Sequence, residues 1–509
     1  MRASVHSNES VCAIDRECEY INSLNDFVDI CYEICNFVAV LRNRVLSLKQ
    51  NKPHKIEELL HVKKQDNYTF LTSAPIERVI PTMAVPTIIS MLVTSIYNIV
   101  DTYFVGQLNT QATAAVGVVF PVMAVIQAVG FFFGSGSGTF ISRALGAKEV
   151  HQARVMASSG FFSALFFGAV ITVVGLLFLH PLSVALGSTP TILPYTERYL
   201  AGILIGAPFL TASMTLNNQM RFQGNAKQAM YGLMTGAALN VVLVPFFMFV
   251  LNMGILGTAV GTMLSEFVAF VVLLVMASRG DNIAIRWGDM KFDERCSRKR
   301  IAVELFRGGT PSLTRQGLAS VATMMLNVAA GAFGDAAIAG MSIVTRIINF
   351  VFSAMLGIGQ GYQPFCGFNY GARNYERLRR GYMFSLKLCV TIIVILGVPS
   401  FIFAEEIIDF LRHDAAVVEV GAKAFRWQLI SLPLCAFVVM TNMTLQTSGR
   451  AFSANFLSAA RNGIYFIPLI LLLPRFLGIL GVEICQAVAD VLSCATAIPL
   501  AWYYFKTLK

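Results

Sequence analysis

Long apolar runs recur from Val79 almost to the end of this chain, and they constrain its fold more than any other feature. Each run holds about the 20 apolar residues that a helix needs to cross the hydrocarbon core of a bilayer. The runs lack the polar and apolar alternation of a barrel strand, so the sequence predicts an all-α membrane protein. Twelve runs can be counted, near residues 79–105, 113–140, 156–179, 198–220, 228–251, 256–277, 310–333, 338–365, 382–403, 424–447, 456–477 and 480–504.

The composition and the missing motifs exclude several classes of function. Charged residues make up 13% of the chain, about half their share in soluble proteins, which excludes a large soluble enzyme. The glycine run at 134–138 lacks the Gly-Lys-Ser/Thr ending of a nucleotide-binding loop, and small residues that let helices pack closely explain it better. Since the sequence also lacks the zinc-protease and nucleophile-elbow motifs, we predict that the protein is not an enzyme. The six histidines lie outside the centres of the spans, which excludes a mid-membrane imidazole relay.

Lysine and arginine concentrate in alternate loops of the twelve-span scheme. One set of loops holds Arg143, Lys148, Arg154, Arg221, Lys227, eight residues between Arg279 and Arg307, Arg373, Arg377, Arg379, Arg380, Arg450, Arg461, Lys506 and Lys509. The opposite set holds Arg198, Arg412, Lys423, Arg426 and Arg475. By the positive-inside rule, both termini and the 279–307 loop are predicted to be cytoplasmic, in a multi-pass protein of the cell membrane. The net charge of +10 is thus explained without a nucleic-acid partner.

Residues 1–78 differ from the rest of the chain because they are polar and contain no run long enough to span. They also lack the uninterrupted apolar core of a cleavable signal, so we expect a poorly ordered cytoplasmic extension. Cys31 and Cys35 have the spacing of two ligands on one helical face, but no matching cysteine or histidine pair accompanies them. We therefore expect no metal site here and no disulfides in a reducing cytoplasm.

An internal duplication relates the two halves of the membrane part. Gly146-Ala147-Lys148 in the first half is matched by Gly371-Ala372-Arg373 in the second, 225 residues later. At nearly the same offset Pro245 matches Pro468, and Glu266 matches Asp490. The shared order predicts two pseudo-symmetric six-helix lobes, at 79–278 and 308–505, with a cytoplasmic linker at 279–307 and a tail at 506–509. In transporters built from such parallel repeats, substrates bind between the repeats near the bilayer midplane.

Polar residues inside the predicted spans are candidates for function, because a charge near mid-membrane costs about 2.5–3.5 kcal/mol on insertion scales. Asp101 in the first span could exchange a proton or coordinate a sodium ion. Asn240 and Thr262 could supply neutral oxygens to the same site, although each alone is better explained as an interhelical hydrogen bond. Other polar residues that could face a cavity are Tyr97, Asn98, Glu266, Arg315, Gln316, Arg346, Gln446 and Asp490.

The membrane part resembles the multidrug and toxic compound extrusion (MATE) family of secondary transporters. The resemblance covers about 79–505 and is carried by Pro86-Thr87-Ile88, 99–106, Gly146-Ala147-Lys148 with its copy Gly371-Ala372-Arg373, 311–316 and 467–469. It implies a two-lobe MATE-like exporter that exchanges H⁺ or Na⁺ for cationic or amphipathic drugs by alternating access of its lobes. It also implies that Asp101 binds the coupling ion, and that Asn240 and Thr262 belong to the first lobe's cation site. We expect no cofactor besides the coupling ion, and a monomer.

The chain departs from the family pattern at Val244, where the cation site usually has a second aspartate. Valine cannot ligate a cation, so we favour proton coupling through Asp101 over sodium. The second-lobe carboxylates of the NorM-type subgroup also lack a match, since Arg315, Gln316 and Gln446 occupy the relevant spans. The sequence thus looks closer to the DinF-like or a related bacterial branch.

Two alternative functions remain open at this point. A flippase for a lipid-linked saccharide or polyprenyl carrier would need arginines facing the central cavity, for which Arg315 and Arg346 are the candidates. A receptor or scaffold would instead use residues 1–78 as a docking arm.

Overall fold

The computed structural model describes residues 67–278, 283, 285, 288 and 297–508, apart from the side chains of 96–102 and 110. Twelve long helices dominate the described residues: α1 (Ile76–Gly106), α2 (Thr110–Gly146), α3 (Val150–Leu177), α4 (Leu193–Phe222), α5 (Ala226–Pro245, continued by the π-helical turn Phe246–Val250), α6 (Ile255–Ser278), α7 (Arg298–Gly331), α8 (Asp335–Gly371), α9 (Tyr375–Ile402), α10 (Ala415–Thr447), α11 (Ala451–Ala459, the π-helical turn Ala460–Ile464 and Phe466–Leu477) and α12 (Ile479–Thr507). The all-helical fold class predicted from the sequence is confirmed.

Eleven of these twelve helices are long and apolar enough to cross a membrane, counting the described residues. Only α7 is not among them. Its central part carries Thr314, Arg315 and Gln316, and its first turns are charged, so its mean hydropathy is lower. Shorter helices occur at Leu179–Ala185 and Ala404–Leu411, each just after a spanning helix. The chain is therefore a multi-pass membrane protein.

A short helix, Asn67–Ser73, precedes α1 and extends the ordered chain beyond the boundary drawn from sequence. The expectation of a poorly ordered extension does not hold for this helix, in which Leu71 is fully buried. The Asn67 amide donates to Gln223 O at 3.1 Å, and Asn369 Nδ2 donates to Leu71 O at 3.1 Å. These hydrogen bonds and this burial fix the segment on both lobes. Residues 1–66, including the cysteine pair considered above, lie outside the described residues.

The two halves repeat each other in backbone detail as well as in sequence. Lys148 and Arg373, the third residues of the duplicated triplets, both have a positive φ, at 62° and 56°. Asn217 Nδ2 donates to Ala229 O at 2.8 Å, and Asn442 Nδ2 makes the matching bond to Ala454 O at 2.6 Å. Identical local geometry 225 residues apart shows that the two lobes are copies of one six-helix unit.

Helices cross between the lobes in two matching pairs, α2 with α7 and α1 with α8. Glycine makes the first crossing close, because a Cβ on Gly136 would lie 2.5 Å from Leu305 O. In the second, a Cβ on Gly361 would lie 2.4 Å from Ala84 Cα. The glycine run at 134–138 therefore serves helix packing, as predicted from its lack of a phosphate-binding ending.

The lobes meet tightly at one end of the bundle, which we call the basic end because the triplets at 146–148 and 371–373 lie there. Every residue at 132–142 of α2 and at 357–369 of α8 is buried, whereas the first halves of both helices include exposed and half-buried residues. A Cβ on Gly146 would lie 2.3 Å from Phe368 O, and one on Gly371 would lie 2.1 Å from Arg143 O. The two lobes are therefore in backbone contact at the basic end.

Candidate functional site

A small cavity of about 50 Å³ lies inside the first lobe, between α1, α2, α4, α5 and α6. Its polar lining consists of Thr94, Gln127, Asn240, Thr262 and Glu266. The rest of the lining is made of glycine, alanine, leucine, isoleucine and methionine. A cavity of this size holds one or two water-sized species, which suits a small ion and is too small for a drug.

Asn240 and Thr262, the two neutral candidates from the sequence, are brought together in this cavity. Asn240 Nδ2 donates to Thr262 Oγ1 at 3.1 Å, and both side chains are buried. Close packing of α5 on α6 makes this contact possible, since a Cβ on Gly236 would lie 2.8 Å from Ala269 Cβ. With the amide nitrogen donating to Thr262, the amide oxygen of Asn240 stays available to a positively charged guest.

Three sequence candidates, Tyr97, Asn98 and Asp101, belong to α1, but their side chains lie outside the described residues. Thr94, one of the cavity-lining residues, is seven positions before Asp101 in the same helix. Seven residues are about two helical turns, or about 10 Å along the axis. The assignment of Asp101 as the ion-coupling residue therefore stays a prediction. Val244, where the family pattern has an aspartate, is fully buried and does not line the cavity.

Asp490, the second-lobe counterpart of Glu266, lies in a different environment. Arg461 Nε donates to Asp490 Oδ1 at 2.7 Å, while Ser431 Oγ and Gln486 Nε2 each donate to the carboxylate at 3.0 Å. The Asp490 side chain is 2% exposed, and the Arg461 guanidinium also stacks on the ring of Phe352. This carboxylate is neutralised inside its lobe by Arg461.

Gln446 was predicted to face a cavity, but in the structure it joins helices. It is buried in α10, and its Nε2 donates to Gly308 O at 2.7 Å and to Ser312 Oγ at 2.9 Å. Ser312 in turn donates to Ser135 Oγ of the first lobe at 3.1 Å. This chain of hydrogen bonds links α10 and α7 to α2 across the lobe interface.

Arg221 was counted among the loop residues from sequence, but the structure buries it at the end of α4. Its guanidinium donates to Gln360 Oε1 of α8 and, at 2.6 Å, to Asn218 Oδ1. The repeat offset of 225 pairs Arg221 with Gln446, so the two lobes use the same position to contact each other. That match was present in the sequence and could have identified both residues.

Arg143 reinforces the same interface at the basic end. It donates to Thr447 O of α10 at 2.8 Å and to Glu304 Oε2 of α7 at 2.6 Å, and both of these helices pack in the second lobe. Arg461, another basic residue counted in a loop from the sequence, lies in the π-helical turn of α11. Among the remaining candidates, Arg315 and Gln316 are half-buried in α7 and Arg346 is exposed.

Known proteins share this architecture over almost the whole membrane part. The MatE family profile matches residues 86–246 and 311–472, one match in each lobe. The multidrug export protein MepA of Staphylococcus aureus (strain MRSA252) is 24% identical over 444 residues, covering 87% of this chain and 97% of MepA. MepA of Staphylococcus saprophyticus is 26% identical over 424 residues, covering 83% of this chain and 92% of that protein.

A solved structure gives the same result for the fold. A MOP superfamily transporter from Pyrococcus furiosus superimposes with a TM-score of 0.81 at 24% identity, covering 88% of this chain and 99% of that chain. The family profile spans more than half of the chain, once in each half of the duplication. The chain therefore belongs to the MatE family and is a MATE family transporter.

Proposed function

We propose that this protein exports cationic or amphipathic compounds in exchange for protons, or alternatively sodium ions, by alternating access of its two lobes. The observation that carries the proposal is the first-lobe cavity, where Asn240 and Thr262 lie together beside α1. A site for a small ion within one lobe, apart from the interface between the lobes, suits a transporter in which ion and drug bind at different places. The two MepA proteins named above are multidrug exporters, which agrees with this substrate class.

Alternating access is supported by the uneven contact between the lobes. They touch through backbone atoms at the basic end, and the first halves of α2 and α8 are more exposed. In the proposed topology the basic end and both termini face the cytoplasm. On that topology the described state is closed to the cytoplasm, and a rocking motion that separates Gly146 from Phe368 would open it.

The energy available is sufficient for the proposed exchange. Moving one positive charge inward across a membrane potential of 100 mV releases about 2.3 kcal/mol. An exchange that moves one net positive charge inward, such as two protons for one monovalent cation, could therefore sustain a substrate gradient of about fiftyfold from the potential alone. No nucleotide is needed for export of this magnitude.

Export of ethidium by everted membrane vesicles under separately imposed proton and sodium gradients tests this function. The wild type is expected to accumulate ethidium when a proton gradient is imposed, and Asp101→Asn is expected to abolish that accumulation. Asp335→Asn, which neutralises an exposed carboxylate at the start of α8, is the matched control. Undiminished proton-driven export by Asp101→Asn would remove Asp101 from the mechanism, and sodium-driven export at constant pH would replace the proton by sodium.

A second candidate function is favoured by two basic residues near the lobe interface. Arg221 and Arg315 interact electrostatically, and the described residues supply no carboxylate to either one. Basic side chains without a carboxylate partner suit an anionic headgroup, as in a lipid-linked saccharide. Translocation of such a lipid in vesicles that fail to export ethidium would favour this flippase over the drug exporter.

A further inference from the structure

The two carboxylates matched by the repeat, Glu266 and Asp490, differ in what surrounds them. Asp490 has an arginine, a serine and a glutamine as donors. Glu266 lines the first-lobe cavity, and the described residues supply it with neither an ion pair nor a hydrogen bond. Since the two positions descend from one repeat, the difference must come from the residues opposite them.

The repeat shows where the partners of Asp490 have their counterparts in the first lobe. On α4 and α10 the repeat offset is 225, so Ser431 of the second lobe corresponds to Gly206 of the first. On α5 and α11 the offset falls from 225 to 223 along the helix, so Arg461 corresponds to one of residues 236–238 in the first lobe. Gly206, Gly236 and Ala237 all line the cavity.

The cavity therefore occupies the space that the arginine and the serine fill in the second lobe. At these positions the first lobe has glycine or alanine, so it lacks both the volume and the positive charge that Arg461 supplies in the second lobe. Among the described residues that line the cavity, Glu266 is the only one with an ionisable side chain. A carboxylate in the membrane interior without a fixed cation is costly unless a mobile cation takes that place.

We propose that Glu266 binds the coupling cation in the first lobe, in the place that Arg461 occupies permanently in the second. The cation is monovalent, either a proton or a sodium ion, and the neutral oxygens of Asn240 and Thr262 complete its surroundings. If it is a proton, a carboxylate oxygen of Glu266 forms an O–H bond with a proton from one solution and releases that proton to the other. If it is sodium, the carboxylate coordinates the ion without any covalent change.

This assignment rests on the proposed ion-coupled export and deepens it, because it names a coupling residue on α6 besides Asp101 on α1. It also gives Asp490 a different role, which is to hold α10, α11 and α12 together. The second lobe carries its cation as a fixed arginine, so the structure assigns ion exchange to the first lobe.

Transport by the full chain in proteoliposomes tests the proposal, with tetraphenylphosphonium as the substrate probe. Glu266→Gln keeps the shape of the side chain and removes its charge. We expect gradient-driven accumulation to fall at least tenfold, while tetraphenylphosphonium counterflow without an ion gradient stays within twofold of the wild type. Glu266→Asp should restore part of the accumulation, and Glu197→Gln is the matched control outside the cavity. Accumulation by Glu266→Gln equal to that of the wild type would overturn the assignment.

A binding measurement separates this proposal from the export function itself. Purified protein in detergent is titrated with ²²Na⁺ at fixed pH, and proton uptake is followed in weakly buffered solution without sodium. We expect the wild type to bind one of these cations and Glu266→Gln to lose that binding. If the wild type accumulates no drug but shows this difference, the export function fails and the cation site stands. Equal binding by both proteins, or binding by neither, would overturn the site.

Discussion

The buried ion pair between Arg461 and Asp490 leads to a strong prediction about stability. Arg461→Met leaves the Asp490 carboxylate, 2% exposed, with only the two neutral donors Ser431 and Gln486. Removing one partner of a buried ion pair costs about 3–5 kcal/mol, because the remaining charge stays desolvated. Ser431→Ala removes one hydrogen bond to the same carboxylate and should cost less, about 1.5–3 kcal/mol.

The double variant Arg461→Met/Asp490→Leu identifies the charge as the cause. It removes both ions and leaves apolar side chains of similar length, so it should be more stable than Arg461→Met alone. The interaction energy in this double-mutant cycle is expected to be about 2–3 kcal/mol. The reference for comparison is Glu266→Gln, which breaks no described hydrogen bond and should be at least as stable as the wild type.

Reversible unfolding of the purified protein in mixed micelles, followed by circular dichroism, measures these free energies. The order of stability should be wild type, Ser431→Ala and then Arg461→Met. If Arg461→Met were no less stable than Ser431→Ala, and the double variant were simply additive, the pair would not act as a buried ion pair. The difference inferred between an ion-paired Asp490 and an unpaired Glu266 would then lose its basis.

Three further predictions follow from the packing. Gly146→Val should weaken closure at the basic end, because its Cβ would lie 2.3 Å from Phe368 O, and cysteine cross-linking between α2 and α8 should fall. The control Gly117→Val has no atom within 4 Å of its Cβ and should leave the cross-linking unchanged. Leu71→Ala should destabilise the protein by about 2–5 kcal/mol because Leu71 is fully buried, and an unchanged melting temperature would show that the short helix before α1 is not held in place. Asn217→Ala and Asn442→Ala should each cost about 1–3 kcal/mol, and clearly unequal losses in the same unfolding assay would contradict equivalent roles in the two lobes.

The sequence by itself determined the architecture of this protein. Apolar runs of spanning length permit only helices, because a bilayer offers no partner to an unpaired backbone group. The duplicated triplets at 146–148 and 371–373 then specified two copies of one unit, and both copies turn with the same backbone geometry. Asn240 and Thr262, selected as candidates for one site, do lie in contact.

Only the tertiary structure decided which polar residues are neutralised and which face a cavity. Glu266 and Asp490 occupy matching positions, and their difference depends on residues of other helices, such as Arg461, which is 29 positions from Asp490. A count of basic residues placed Arg221 and Arg461 in loops, because both lie near the ends of apolar runs, but packing buries Arg221 and leaves the Arg461 side chain only 15% exposed. A charge is balanced by whatever neighbour the fold brings to it, and the order of residues along one helix does not contain that information.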